Sequence, residues 1–264
     1  MQVKAEEIPV ERAGEYVQGL DRGLSIIRTF AEVRGPLTIS QMAEHTGLAK
    51  AVARRLLMTL EALGYVGRDG RNFFLLPKTL ELGYAYLSSL PLHEILDPKL
   101  KKLAAQFEEA ASAAVLDGDQ SVYIARIRSG RILTFGLSVG DRVPAFVTSV
   151  GQVLLADLPD DELDDYLART KRKQFTERTL VDEADLRARL VQVKEQGWAL
   201  VDSELEAGVC AIAAPIRGAD GRAVAAIKVG GQNTHSSAAR MINEIRPVLL
   251  ETAAAISHEL SIRP

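Results

Sequence analysis

The sequence is short of the residues that most often carry chemistry. Its single cysteine, Cys210, excludes an internal disulfide and a cysteine-rich zinc site, and it fits a reducing compartment. The four histidines, His45, His93, His235 and His258, form no HExxH pair, and neither a CxxC motif nor a phosphate-cradling glycine-rich loop is present. Gly230-Gly231 lacks the rest of a dinucleotide fingerprint and reads as a turn. No nucleophile elbow is read either, so neither catalysis, a metal nor a cofactor is expected. No apolar run approaches the ~18 residues of a membrane span. The N-terminal MQVKAEEIPVERAGE carries charges throughout and lacks the apolar core of a signal peptide. A soluble, cytoplasmic chain is the expectation.

What is present points to two domains. A length of 264 residues is long for one domain and comfortable for two. With 47% hydrophobic and 25% charged residues, the chain has the balance of a globular protein rather than a disordered one. Charge is unevenly spread. Between Tyr16 and Lys78, nine basic residues stand against five acidic ones, so that segment is +4 in a chain of −3 and the remainder is −7. A basic head on an acidic body is a feature of nucleic-acid binders.

The pattern along the chain divides it further. Residues 1–15 read as a mobile arm, 16–78 as one domain, 79–91 as a linker helix and 92–264 as a second domain. In the first domain Leu20, Leu24, Ile27 and Phe30 mark a helix over Val17–Phe30, stopped by Arg34-Gly35-Pro36. Thr38 can cap a short helix, Ile39–His45. Thr46-Gly47-Leu48 then turns into a second helix, Ala49–Leu63, with Val52, Leu56, Leu60 and Leu63 on its apolar face. Two short strands around Asp69-Gly70 make a hairpin. Three helices and a hairpin form a winged helix-turn-helix.

The second domain mixes strand-like runs (Ala113–Leu116, Ser121–Arg128, Arg131–Ser138, Val209–Arg217 and Arg222–Gly230) with helical ones. Asp117-Gly118, Ser129-Gly130 and Asp220-Gly221 supply the hairpin turns. Helices are expected at Pro98–Ala110, Thr148–Asp157, Asp160–Arg169, Asp182–Gln196 and Ser237–Leu260. The fold class is therefore α+β, an antiparallel sheet with helices gathered on one side.

Burying the apolar face of the second helix leaves Lys50, Ala51, Arg54, Arg55 and Met58 nearer solvent, with Thr59 at one edge. A recognition helix needs small residues near its N-terminus and donors that reach base edges or phosphates. Arg54 or Arg55 could grip guanine bidentately, and Lys50 suits a phosphate. Arg68 and Arg71 flank the wing tip, and Arg22 and Thr38 complete the candidate DNA contacts. A solvated cationic face is the plainer account of Arg54 and Arg55 alone. It loses ground once the helix-turn-helix spacing, the basic wing and the charge asymmetry are taken together.

Tyr16–Leu24, the Thr46-Gly47-Leu48 turn, Leu60–Val66 and Leu80-Glu81-Leu82-Gly83 resemble the N-terminal half of IclR-type regulators. Thr148–Ala156 and Gly208–Ile216 resemble that family's effector-domain signatures. The likeness runs from about Tyr16 to Leu260. The Tyr-Val-Gln opening and the run Asp141–Ser149 look closest to the branch regulating protocatechuate, 4-hydroxybenzoate and β-ketoadipate catabolism.

The resemblance implies a GAF-like second domain that binds a small organic acid, and homodimers or tetramers on double-stranded operator DNA. By position it implies an effector pocket at Pro144, Ala145, Phe146, Thr148, Ser149 and Gly151. Asp202, Glu204, Gly208, Val209 and Ala211 would lie opposite, with Ile227 and Val229 on the following strand. Free N–H groups near Ser149–Gly151 would attract a carboxylate. The family's strand cysteine falls at Ala211, so Cys210 should face the other way. Apolar Ile227 and Val229 imply an effector larger or more apolar than glyoxylate or pyruvate. Two other readings are carried beside this one: an enzyme, with Asp202 and Glu204 as paired carboxylates, and a protein-docking module that uses the winged helix without DNA.

Overall fold

A computed structural model describes residues 16–89, 92–128, 137–232 and 237–262, and the chain divides into two compact units, Met1–Tyr86 and Leu87–Pro264. The N-terminal arm, the end of the linker at 90–91, the Ser129-Gly130 turn, most of the strand expected at 131–138 and His235 lie outside the described residues.

The first unit opens with α1 (Gln18–Val33), which ends where Arg34 turns left-handed before Gly35-Pro36. Strand β1 (Leu37–Thr38) leads into α2 (Ile39–Thr46) and α3 (Lys50–Ala62). The hairpin follows as β2 (Val66–Asp69) and β3 (Asn72–Leu75), with Gly70 at φ 56° in its turn. Sheet order β1-β3-β2 makes this a three-stranded wing, since Leu37 pairs with Phe73. A 3-10 turn at Pro77–Thr79 precedes α4 (Leu80–Ser89).

The apolar faces expected from periodicity are rotated here. α1 buries Ile26, Thr29 and Phe30, while Leu20 and Leu24 are 64% and 44% exposed. α3 buries Ala53, Leu57 and Leu60, leaves Val52 and Leu56 half-buried, and exposes Leu63. One residue is about 100° of helix. Small Ala53 lies against the core with Met42 and Phe73, a packing role that a search for large apolar side chains passes over.

The second unit begins with α5 (Leu92–Phe107) and holds a six-stranded antiparallel sheet. Its strands are β4 (Ala110–Asp117), β5 (Gln120–Ile127), β6 (Arg142–Pro144), β7 (Ala199–Asp202), β8 (Val209–Arg217) and β9 (Ala223–Gln232), in the order β6-β5-β4-β9-β8-β7. Between β6 and β7 come α6 (Ser149–Ala156), α7 (Asp160–Arg169) and α8 (Glu183–Gln196). After β9 the chain forms α9 (Ala238–Arg240), a π turn over Met241–Ile245 and α10 (Arg246–Ser261). The π turn ends two residues before Pro247, which has no N–H to carry the α ladder.

Helices cover both faces of the sheet, not one. α5 and α10 pack on Ala111, Ala113, Cys210, Ile212, Ile227 and Val229. α6, with α7 and α8, packs on Ala114, Tyr123, Ala213 and Ala226. Cys210–Ala214 are buried at every successive position, as in strands that face no water on either side. The helix expected to reach Ala110 stops at Phe107, because Glu108 at φ 54° ends it and Ala110 opens β4.

Candidate DNA interface and effector cavity

Local chemistry fixes the helix-turn-helix. Thr38 closes a capping box on α2: its hydroxyl donates to Gln41 Oε1 (2.8 Å) and accepts from the Gln41 N–H (3.3 Å). Left-handed Gly47 ends α2 and turns the chain into α3. Thr38, expected among the DNA contacts, therefore spends its hydroxyl on the helix cap.

The outer face of α3 presents Lys50, Ala51, Arg54, Arg55 and Thr59, all exposed, while Met58 is half-buried. Thr59 Oγ1 donates to the Arg55 carbonyl (2.9 Å). Among the described residues Lys50, Arg54, Arg55 and Arg71 make no hydrogen bond or ion pair through their side chains. Arg68 differs from these. Its Nε lies 3.4 Å from Glu61 Oε1, and its guanidinium stands 6.0 Å from the Phe73 ring centroid, so it is braced against the wing. Arg22 is half-buried on α1.

In the second unit the residues expected to bind an effector fall into three groups. The first surrounds the start of α6 and is closed. Thr148 accepts from the Gly151 N–H (3.0 Å) and bonds the Ser121 hydroxyl (3.0 Å). Gly151 lies so close to Ala145 that an added Cβ would stand 2.1 Å from the Ala145 carbonyl oxygen. Ala145, Phe146 and Ser149 are buried, and Pro144 is half-buried. Of the N–H groups expected to be free near Ser149–Gly151, that of Gly151 is thus already capped by the Thr148 side chain.

Asp202 and Glu204 form the second group. Asp202 accepts from Arg178 and from the Ser203 hydroxyl (2.9 Å). Glu204, 4% exposed, accepts from Gln152 Nε2 (3.0 Å) and Arg189 Nη1 (3.2 Å). Burial pushes its carboxyl up to about 7, against the pull of Arg189 and Gln152. The two carboxylates accept from different donors, and the Asp202 charge adds to the upward push on Glu204.

The third group splits between the sheet faces. Val209 and Ala211 line a small cavity of about 60 Å³ on the α6 face of the sheet, together with Ser112, Arg126, Glu206, Lys228 and Gly230. Gly208, at φ 79°, makes the turn into β8. Ile227 and Val229 belong to the α5/α10 core, on the opposite face. Strand side chains alternate, so the cavity sees their neighbours Lys228 and Gly230 instead. Ile227 and Val229 therefore do not line this cavity, whose lining mixes apolar surface with the charged side chains of Arg126, Glu206 and Lys228. Cys210 also faces α5 and α10, as its one-residue offset requires, and burial lifts its thiol to about 12.

Arg126 and Lys228 were missed in the sequence, though a signal was there. Each is a lone cation inside an apolar strand run, Tyr-Ile-Ala-Arg-Ile and Ala-Ala-Ile-Lys-Val. A wider hollow of about 400 Å³ lies near α7, but Glu162 and Asp165 outweigh Arg169 in its lining, and it would repel an acid. Residues 136–140 do spell GxSxG, a match the sequence reading overlooked. Ser138 sits in a turn whose N–H donates to Asp141 Oδ2 (2.6 Å), and extended β6 follows. Among the described residues Ser138 is followed by this extended strand rather than by the helix of a nucleophile elbow. Among the described residues no helix is long and apolar enough to cross a membrane.

A winged helix with a cationic outer helix, joined in one chain to a cavity-bearing α+β unit, defines a two-module regulator. The profile of the IclR helix-turn-helix domain matches residues 19–70, and that of the bacterial transcriptional regulator IclR C-terminal domain matches residues 84–258. The chain belongs to the IclR family of transcriptional regulators. It is 42% identical over 247 residues to the Pca regulon regulatory protein of Pseudomonas putida, covering 93% of this chain and 85% of that one. A putative transcriptional regulator from Rhodococcus sp. RHA1 has a solved structure with TM-score 0.85 and 45% identity, over 93% of this chain and 98% of that one. The inducer-binding domain of the Acinetobacter PobR transcription factor, solved as a double mutant with 3-hydroxybenzoic acid, matches with TM-score 0.60 and 30% identity, over 64% of this chain and 97% of that one.

Proposed function

We propose that the first unit reads operator DNA through α3 and the wing, and that an organic acid bound in the second unit modulates this. Arg54 and Arg55 meet base edges in the major groove, Ala51 allows close approach, and Lys50 and Arg71 hold phosphates, with braced Arg68 beside the wing. The observation that carries the reading is the exposed face of α3, where three cations lack any intramolecular partner among the described residues. Charged groups left in water along one helix face are matched to a polyanion. A DNA-bound role puts the chain in the cytoplasm.

The protein acts as a homodimer or tetramer. Exposed Leu20 and Leu24 on α1, and Leu80 and Tyr84 on α4, support self-association. Two reading heads then meet half-sites about 34–36 Å apart, or a multiple of that. The linker over 79–91 passes the effector's influence between the domains, which requires an effector that favours one of two states. An aromatic acid is favoured by the 3-hydroxybenzoic acid held by the Acinetobacter relative. The test is an operator titration across salt concentrations with and without added acid. Affinity should fall steeply with salt, with a slope near −0.9 per phosphate neutralised. Binding that ignored ionic strength would sink the reading.

A further inference from the structure

Six cations lie between Lys50 and Lys78, and two of them, Arg68 and Lys78, are engaged inside the first unit. Arg68 on β2 reaches back to the last turn of α3, where its Nε lies 3.4 Å from Glu61 Oε1. It also directly opposes Phe73 of β3, whose ring centroid is 6.0 Å from the guanidinium. Phe73 belongs to the core cluster that holds Ala53 and Leu57 of α3. One side chain thus ties the reading helix to both strands of the hairpin. Lys78 does the same at the other root. Its Nζ donates to the Leu63 carbonyl (3.1 Å) and stands 5.2 Å from the Tyr65 ring centroid. Its stem passes beside Gly64, whose φ of 79° reverses the chain after α3. The Tyr65 carbonyl accepts from the Leu76 N–H (2.9 Å) and the Thr79 hydroxyl (3.1 Å).

The last carbonyls of a helix have no partner within it, and a cation there complements the helix dipole. A short hairpin is marginal by itself and takes its direction from what it packs on. That direction matters at the tip. Strands rise about 3.3 Å per residue, so the turn stands about 13 Å beyond Val66, and a tilt of about 15° at the root moves it about 3 Å, the length of a hydrogen bond. Arg71 sits at this tip and makes no hydrogen bond or ion pair through its side chain among the described residues.

We propose that Arg68 and Lys78 are positioning residues that clamp the wing to the reading helix, holding Arg71 at its phosphate instead of binding phosphates themselves. This rests on the reading that α3 and the wing meet operator DNA, and it separates the cations that touch DNA from those that aim them. It also gives Glu61, an acid in a basic head, a purpose. Were Arg68 a phosphate ligand, Glu61 would compete with the DNA for it, and its removal would tighten binding. As half of a clamp, its removal loosens the wing.

The test titrates the full-length protein, over a salt series, against a DNA duplex that the wild type enriches from a random pool. Arg71→Ala, Arg68→Met and Lys78→Met should each weaken binding by about two- to fivefold. In the Arg71→Ala background, Arg68→Met and Lys78→Met should cost less than about 1.5-fold more and leave the salt slope unchanged, since losses through a shared contact do not add. A residue that neutralises a phosphate itself would flatten the slope by about 0.9 in either background. Glu61→Gln adds a unit of positive charge, yet should weaken binding about twofold or more at ~300 mM salt, where long-range attraction is screened. Lys78→Arg keeps a donor for the Leu63 carbonyl and should restore wild-type affinity. If Lys78→Met does not fold, as judged by thermal unfolding, Arg68→Met and Glu61→Gln carry the test. Losses that add to that of Arg71→Ala, tighter binding by Glu61→Gln, or no loss in Arg68→Met would overturn the clamp. Any of these, with Arg54→Ala and Arg55→Ala still weakening binding, refutes the clamp but keeps the DNA-reading helix. Binding indifferent to Arg54, Arg55 and Arg71 alike refutes both.

Discussion

Unpartnered cations occur in two regions of this molecule, in opposite dielectric settings. On α3, Lys50, Arg54 and Arg55 stand in water, where a charge costs little to maintain and attracts any polyanion weakly and at long range. In the sheet of the second unit, Arg126 is partly desolvated and Lys228 is held against an aromatic ring, so each interacts more strongly with its neighbours. The same residue types thus stand fully solvated in one unit and partly desolvated in the other. Salt should separate them, because screening weakens exposed pairs far more than buried ones.

The largest effect belongs to the exposed side. Replacing both Arg54 and Arg55 with alanine should cost about 100-fold or more in operator affinity at ~150 mM salt, with the salt slope flatter by up to about 2. Fluorescence anisotropy over a salt series reads both numbers, and an unchanged slope would remove α3 from the interface. Across the same salt range, binding of an acid in the second unit should change by no more than about threefold. A parallel loss in both assays would erase the contrast between the two regions.

Two tests concern the interior of the second unit. Gly151→Ala places a methyl group against the Ala145 carbonyl, backbone against backbone, and should destabilise that unit by about 3 kcal/mol or more. Calorimetric unfolding should show a lowered transition for the second unit. Glu204 supplies a pH signature. Its folded carboxyl sits at about 7 against an ordinary 4.5, so the folded state holds the proton more tightly than the unfolded chain does. Stability from this group is complete below pH 4.5, declines as pH rises through about 7 and is level above. The decline is on the order of 3 kcal/mol, one pKa unit being about 1.4 kcal/mol. Glu204→Gln should flatten it, as chemical unfolding at a series of pH values would report.

The smallest effect is expected at the wing. Arg71→Ala should weaken DNA binding by a few-fold, uniformly across sequences, and flatten the salt slope by about 0.9. A change in sequence preference would instead make Arg71 a reader of bases.

Legibility differed between the two units for physical reasons. In the first, nearly every boundary is written locally: the Thr38 cap, Gly47 between helices, Asp69-Gly70 in the wing. The exposed cations of α3 follow because that helix has one clear polar face. In the second, β8 and β9 are buried on both sides, so the alternation that normally separates faces disappears, and Ile227 and Val229 could not be told from cavity residues. Glycines and alanines gave no hint that Gly151 packs on Ala145 or that Gly230 floors a cavity.

The sequence by itself determined the two modules, the winged helix, the cationic helix face and the family, because caps, turns and periodicity act over a few residues. The tertiary structure alone decided which way each strand side chain points and which polar groups satisfy one another. Thr148 closes the end of α6, Arg189 and Gln152 occupy Glu204, and no described residue answers Arg126. Those outcomes depend on contacts between residues far apart in the chain, where desolvation sets the value of a charge and local pattern carries no record of it.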